Sequence, residues 1–289
     1  MIYNLAPSQD TFSIVAVNLE TGEVGSAGAS CIAGSIIISD IHPGVGAIHT
    51  QSYWNSQNQA AASYRMGLGL SPQEIIDWLV ENDAQNNPTT RQYGIVDLYE
   101  GGRSAAFTGE NCYDYKNHIT GPTYAIQGNI LLGQEILDNM ESAFLSFGTF
   151  EEKLMASLIA ANVPGADTRC LEYGIPALSA FIRVAKPDDE SESLFMDFNV
   201  NSVPVSVNPI DSLFTEYWSW KQSQFTLGDI DYNRKADVID ILHLVDFIEE
   251  NNSPSDFEFI PADLNGNGQI EITDLYLLLY EIIGTIGSL

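Results

Sequence analysis

The chain has 289 residues, enough for one large domain and one small one, and its 39 acidic side chains against 11 basic ones leave a net charge of −28. That balance argues against nucleic acid and anionic membrane surfaces as partners, because like charges repel. A hydrophobic content of 45% marks a folded protein, and no run of about 18 apolar residues offers a membrane-spanning helix.

MIYNLAPSQD, the first ten residues, has neither a basic n-region nor an apolar h-region, so no secretory signal peptide is read in this chain. Residues 11–30, TFSIVAVNLETGEVGSAGAS, predict a hairpin. Phe12, Ile14, Ala16 and Asn18 lie on one face, Ser13, Val15 and Val17 on the other, and ETGE supplies the turn. Ile36-Ile37-Ile38 and GVGAIHTQSY predict a second strand pair. In LSPQEIIDWLVEND, Ser71 is a natural N-cap, Pro72 suits the first helical position and Glu74 closes a capping box. Ile75, Ile76, Leu79 and Val80 form that helix's apolar face. RQYGIVDLYEGGRSAAFTGE predicts another hairpin and YAIQGN a short strand. Two helices follow around Gly148, ILLGQEILDNMESAFLSF and FEEKLMASLIAAN. LSAFIRVAKP and SLFMDFNVN close as strands. Strand pairs alternating with helix pairs predict stacked sheets with helices outside, an α+β fold.

The tail carries a repeated pattern of oxygen donors. DLNGNGQIEITD, residues 263–274, sets Asp263, Asn265, Asn267, Gln269, Glu271 and Asp274 at positions 1, 3, 5, 7, 9 and 12 of a twelve-residue loop, with Gly268 at position 6. Ca²⁺ takes roughly 6–8 oxygen ligands, and this spacing curls them inward around one ion. Position 7 lends only a backbone carbonyl, and Ile270 at position 8 is expected to point into a core. DIDYNRKADVID, residues 229–240, repeats the pattern with Asp229, Asp231, Asn233, Lys235, Asp237 and Asp240. Arg234 replaces the glycine there, a strained choice for a left-handed turn, so this loop is expected to be the weaker. Two calcium ions are therefore expected. Each loop runs into an apolar helix, and no clear helix leads into either.

A duplicated loop-helix unit with Asp at position 12 resembles a dockerin type I module, over roughly residues 226–286. The resemblance implies a small all-α domain that folds on calcium and binds a cohesin-like domain on an extracellular scaffold or cell surface. The Ser-Thr pair that faces the cohesin in many dockerins is here Val238-Ile239 and Ile272-Thr273. The division expected is 1–222 for the large domain and 226–289 for the small one.

In the large domain, TFSIVAVNLETGEVGSAGAS, RQYGIVD with AAFTGENC, and GPTYAIQGNILLG resemble the bacterial domain-of-unknown-function family 1028, grouped with the N-terminal-nucleophile (Ntn) hydrolases. The resemblance implies a four-layer αββα sandwich. Ntn enzymes begin their first strand with Thr, Ser or Cys, whose own α-amine, with a pKa near ~8, acts as general base after the preceding residues are removed. Thr11 matches that position. Asn129 is a candidate oxyanion donor. The early-strand lysine of proteasome-like Ntn enzymes is missing, since no Lys or Arg precedes Arg65; Arg91, Lys116, His118 and Arg169 are the candidate substitutes. Ser30 and Cys31 are alternative nucleophiles without a readable base. His42 and His49 lack partners at metal spacing and read as core or surface residues. Cys31, Cys112 and Cys170 form no C-x-x-C pair; an extracellular protein is expected to hold one disulfide, for which Cys112–Cys170 is chosen, and one free thiol. Two readings stand: a secreted, calcium-tethered amidohydrolase, or a non-catalytic extracellular binding or scaffold protein with the same fold.

Overall fold

The computed structural model describes residues 12–224, 227–231, 235–254 and 256–286. Thr11 and Asn233 lie outside the described residues. The chain divides into two compact units, Met1–Glu216 and Tyr217–Leu289.

The first unit begins with β1 (Phe12–Val17) and β2 (Val24–Ser30), turned at Gly22. β3 (Ser39–His42) and β4 (Gly46–Gln51) follow, then helices α1 (Ser56–Gly67) and α2 (Pro72–Glu81). Next come β5 (Gln92–Asp97), β6 (Arg103–Thr108), β7 (Asn117–Gly121) and β8 (Tyr124–Gly128). Helices α3 (Glu135–Phe144) and α4 (Phe150–Ala160) and strands β9 (Ser179–Ala185) and β10 (Met196–Val200) complete the run, and α5 (Pro209–Gln224) spans the division after Glu216. The strands form two antiparallel sheets, ordered β10-β9-β2-β1-β8-β7 and β3-β4-β5-β6. The sheets face each other, α1 and α2 cover the smaller one, and α3 and α4 cover the larger. This is a four-layer αββα sandwich.

Strand parity decides what fills each layer, because successive side chains point to opposite faces. β1 is buried along its whole length. Its odd residues Val15 and Val17 meet Val24, Ala47, Val96, Ala125 and Ala185 between the sheets. Outside the smaller sheet, Ile48, Tyr93 and Ile95 pack under Ala62, Met66, Ile75, Ile76 and Leu79 of α1 and α2. The capping box of Ser71 and Glu74 starts α2 as expected, and Thr149 with Glu152 does the same for α4. Gly25 lets α4 lie against β2, since a Cβ there would run into Leu154 and Phe150.

Three local expectations are corrected. Ile36–Ile38 belong to a 3-10 helix, Ser35–Ile38, rather than a strand, and β3 starts at Ser39. Helix α1, with Asn55 capping the amides of Gln57 and Asn58, was not legible, because SQNQAAASYRMG shows little apolar periodicity. The disulfide joins Cys31 to Cys170, not Cys112 to Cys170. Cys31 directly follows β2 and Cys170 sits on the 3-10 helix Thr168–Tyr173, with Cα atoms 5.7 Å apart, inside the range a disulfide spans. Cys112 is buried, with its thiol donating to the Arg91 carbonyl.

The second unit holds α6 (Val238–Ile248), α7 (Asp256–Ala262) and α8 (Ile272–Ile286). Ile230, Leu244, Phe247, Ala262 and Leu278 form its core, and Ala236 and Ile270, both at position 8 of their loops, pack against it. The short helix α7 runs into the second loop, against the expectation that none would; Pro261 within it reads as a breaker in the sequence. Among the described residues no helix is long and apolar enough to cross a membrane.

The disulfide closes a separation of 139 residues, for which the chain-entropy relation gives about 5 kcal/mol. Cys31→Ser/Cys170→Ser should lower the calorimetric unfolding midpoint of the first unit as far as a dithiol reductant lowers the wild type. The reductant should have no further effect on that double variant, while Cys112→Ser keeps the full response.

Candidate active site at the head of the first strand

The space between the sheets is apolar at one end and polar at the other. On the same parity as Val15 and Val17 stands Ser13, and around it Ser26, His49, Gln51, Gln92 and Gln127, all at most 1% exposed. Their hydrogen bonds have a fixed direction. Gln92 Nε2 donates to the carbonyls of Gly128 (2.8 Å) and Asn117 (3.1 Å) and to Thr108 Oγ1 (2.9 Å). Carbonyls only accept, so Gln92 Oε1 must face the other way. There it accepts from Gln51 Nε2 (2.8 Å) and Asn129 Nδ2 (2.9 Å). Gln51 Oε1 then accepts from Ser13 Oγ (2.7 Å).

With its one proton spent, Ser13 Oγ accepts from Gln127 Nε2 (2.7 Å), and His49 Nδ1 lies 2.9 Å from Ser13 Oγ and 3.2 Å from Gln127 Nε2. His49 Nε2 shares a hydrogen bond with Ser26 Oγ (2.6 Å). Ser26 Oγ is bonded to Ser39 Oγ (2.7 Å), which accepts from Arg183 Nη1 at 3.4 Å. Burial, reinforced by the Arg183 charge, lowers the His49 pKa to about 3. The imidazole is a neutral member of the core rather than a surface residue. Gly94 leaves room for the seam: a Cβ there would run into the Gln127 carboxamide.

The seam ends at the head of β1. Phe12 pairs with Ala29 on one side and Gly128 on the other, so Ser30 and Asn129 are the next residues on the flanking strands. Asn129 is fully buried, and its Oδ1 has no hydrogen-bond partner among the described residues; neither has the buried Ser52 Oγ. Backbone strain collects here. Ser52, Tyr53 and Ile130 all have φ between 53° and 56°, a region costly for non-glycine residues and tolerated where surroundings overdetermine it. Ile130 is held by its amide to the Tyr113 carbonyl (3.0 Å) and its carbonyl to the Thr168 amide (2.9 Å).

Of the four candidate cations, Arg169 stands beside Ser30. Arg169 donates to both oxygens of buried Asp167 (3.0 and 2.6 Å) and reaches Ser30 Oγ at 3.4 Å. Asp167 also accepts from the Cys31 amide (2.8 Å), so the disulfide and this carboxylate together pin the Arg169 turn to the end of β2. Arg91 is instead paired with Asp83 at 2.8 Å inside the protein and donates to the Tyr53 carbonyl. Burial alone would raise the Asp83 pKa, but Arg91 and the amides of Asn87 and Gln85 hold it well below the usual carboxylate range. Lys116 caps the carbonyls of Glu110 and Cys112, and His118 bonds Thr108. Ser13, Ser26, Gln51, Gln92 and Asp167 were missed as site-forming residues. The signal available was a polar residue on the buried face of a strand otherwise apolar there.

The second unit brings together part of the acidic pattern. Carboxylate oxygens of Asp229, Asp231 and Asp240 all lie within 4.8 Å of one another. Both loops fold in the same way around position 12. Asp240 accepts from the amides of Asp231 (3.0 Å) and Asp237 (2.8 Å), at positions 3 and 9. Asp274 accepts from Asn265 (3.1 Å) and Glu271 (2.9 Å), again positions 3 and 9. Asp263 Oδ2 accepts from the Gly268 amide at 2.7 Å, and Gly268 has φ +81°.

Sheet order, layer order and the polar seam at β1 together describe an αββα sandwich with a candidate site at its first strand. The chain belongs to the family of unknown function DUF1028, whose profile matches residues 11–213. Protein SPO2555 from Silicibacter pomeroyi, a solved structure of that family, is 27% identical over 73% of this chain and 88% of its own, with a TM-score of 0.60. Two Anbu structures also match, each over 75% of this chain and 98% of theirs. The Gly-1 mutant from Hyphomicrobium sp. strain MC1 is 12% identical with a TM-score of 0.42, and Anbu (ancestral beta-subunit) from Yersinia bercovieri is 13% identical with a TM-score of 0.40. No curated protein matches the chain.

The His49 shift has a signed consequence. The unfolded chain binds a proton near pH 6.5 and the folded one only near pH 3, so stability is lost as pH falls between them, by about 1.4 kcal/mol per unit from this residue. Urea midpoints measured from pH 7 to pH 4 should fall less steeply for His49→Gln than for wild type.

Proposed function

We propose that the first unit is an Ntn-type amide hydrolase that becomes active when the chain is cut between Asp10 and Thr11. The observation that carries this reading is the convergence, at the head of β1, of buried polar atoms, strained backbone and the pinned Arg169. Strain of this kind costs of order 1–3 kcal/mol per residue and gathers at functional sites. In the mechanism, the Thr11 hydroxyl attacks an amide carbonyl while the freed α-amine takes its proton. Collapse of the tetrahedral adduct expels the amine with that proton and leaves an ester on Thr11, and water then releases the acid. In the uncut chain the Thr11 nitrogen is a peptide amide and cannot act as base.

The second unit is proposed to be a dockerin-like module holding two Ca²⁺ ions, which tethers a secreted protein to a cohesin-like domain or cell-surface scaffold. Three carboxylates within 4.8 Å repel one another unless a cation lies among them, and an all-oxygen donor set suits a hard ion. The repeated geometry at Asp240 and Asp274 supports one ion per loop. The ligands are Asp229, Asp231, Asn233, the Lys235 carbonyl, Asp237 and Asp240 in the first loop. Asp263, Asn265, Asn267, the Gln269 carbonyl, Glu271 and Asp274 serve the second.

A chain trimmed to begin at Thr11 should form a single ester adduct with a β-lactone probe, read by intact mass; the uncut chain and a trimmed Thr11→Ala chain should not. No adduct on the trimmed wild type favours the binding-protein reading, as does intact mass of native-source protein showing a start upstream of Thr11. For the tether, chelator should abolish the helical circular dichroism of residues 227–286 while the first unit's unfolding transition is unchanged. Asp263→Ala should reduce calorimetric calcium binding from two sites to one.

A further inference from the structure

We propose that Asn265 is a site of spontaneous deamidation, and that its aspartyl product raises the charge and the calcium affinity of the second loop. The change in affinity rests on the calcium reading of that loop; the reaction itself does not. Asn265-Gly266 and Asn267-Gly268 are the chain's only Asn-Gly pairs, and both lie between Asp263 and Asp274. An asparagine deamidates when the backbone nitrogen of the next residue attacks its Cγ, and a glycine there has no side chain to obstruct the approach. All four residues are exposed. The space around both glycines is open, since a Cβ built at either would meet nothing within 4 Å.

Both carboxamides fold over the following glycine. Asn265 Oδ1 accepts from the Asn267 amide (2.9 Å) and Asn267 Oδ1 from the Gln269 amide (2.8 Å). Each is a turn closed by the side chain, which sets Cγ beside the intervening glycine amide and polarises the carbonyl under attack. The two sites differ in what holds their nitrogens. Gly268 N donates to the Asp263 carboxylate at 2.7 Å, a charge-assisted bond that occupies the nucleophile and disfavours loss of its proton. Asn267 Nδ2 donates to Glu271 Oε1 at 2.9 Å, which restrains the leaving group. Gly266 N has only a 3.3 Å bond to the Asp263 carbonyl, and Asn265 Nδ2 makes no hydrogen bond among the described residues. Asn265 is therefore the reactive member of the pair.

In the reaction Gly266 N bonds to Asn265 Cγ, the Cγ–Nδ2 bond breaks, and Nδ2 leaves as ammonia with the proton that Gly266 N gives up. Water then opens the cyclic imide at Cγ to an aspartyl residue, or at the main-chain carbonyl to an isoaspartyl one. The first loop shows that position 3 accommodates a carboxylate. Asp231 stands there with its amide on Asp240 at 3.0 Å, as the Asn265 amide stands on Asp274 at 3.1 Å. The aspartyl product adds a carboxylate to Asp263, Glu271 and Asp274, matching the set Asp229, Asp231, Asp237 and Asp240 of the first loop. Affinity in such loops follows the charge of the ligand set.

The full chain, held with calcium at mildly alkaline pH and followed by peptide mass, tests the assignment, with the urea-unfolded chain as reference. In urea both asparagines should gain the mass of an amide-to-acid exchange at similar rates. In the folded chain Asn267 should react about tenfold more slowly than Asn265, the scale of one charge-assisted hydrogen bond. Asn267→Gln should leave the gain at residue 265 intact, and Asn265→Gln should cut the loop's total gain about tenfold. Equal rates at the two sites of the folded chain, or a faster Asn267, overturn the assignment. By calorimetry Asn265→Asp, which supplies the aspartyl product without its isomer, should bind calcium at the second site about tenfold more tightly than wild type, the scale of one added charge at close range. An unchanged affinity overturns the effect on calcium. Absence of calcium binding in both chains removes the calcium reading and that effect with it, while the ratio of the two deamidation rates still decides the modification.

Discussion

Two sheets pressed face to face leave no water between them, and any polar side chain placed there must find its hydrogen-bond partners within the protein. Half of the inter-sheet layer avoids the demand by being apolar. The other half meets it with a chain of amides, hydroxyls and one imidazole whose polarity is set by backbone carbonyls at the Gln92 end and a guanidinium at the Arg183 end. At the Gln92 end neither Gln51 nor Asn129 can reverse without setting acceptor against acceptor. That end of the seam is therefore held rigidly, and burial together with the Arg183 charge explains why His49 resists protonation.

That rigidity is transmitted to the strand ends. Asn129 inherits its orientation from Gln92, and the strained residues Ser52, Tyr53 and Ile130 lie where the seam ends. On the other flank, the Asp167 carboxylate and the Cys31–Cys170 disulfide fix Arg169. The charged parts of the site are thus held from its edge and the neutral parts from its interior. A buried cation inside the seam would need desolvation to be repaid by close pairing; Arg91 meets that need by pairing with Asp83.

The second unit obeys a different constraint. Its apolar core is small, drawn from α6, α7, α8 and the position-8 residues of the two loops, and its loops concentrate like charges. Position 12 of each loop ties the amides of positions 3 and 9 onto one carboxylate at the start of the following helix. Loop shape and helix start are thus one structure, so charge balance in the loop bears directly on whether the helix packs.

The sequence by itself determined eight of the ten strands among the described residues, three of the four helices that cover the sheets, the layer class and the oxygen-donor periodicity of the tail, because each is written in local spacing: period two along buried strands, capping residues before helices, and donors at alternate positions in a turn. It did not reveal α1, whose Asn55 cap precedes a helix with little apolar contrast, nor α7 with its internal Pro261. It also misassigned the disulfide, since Cys31 and Cys170 become neighbours only when β2 and the Thr168–Tyr173 helix meet. Asn129 was legible as a candidate, but whether its oxygen or its nitrogen faces the seam was decided by Gln92, 37 residues away. The direction of a hydrogen bond belongs to the network that closes around it, and only the packing of one sheet on the other closes that network.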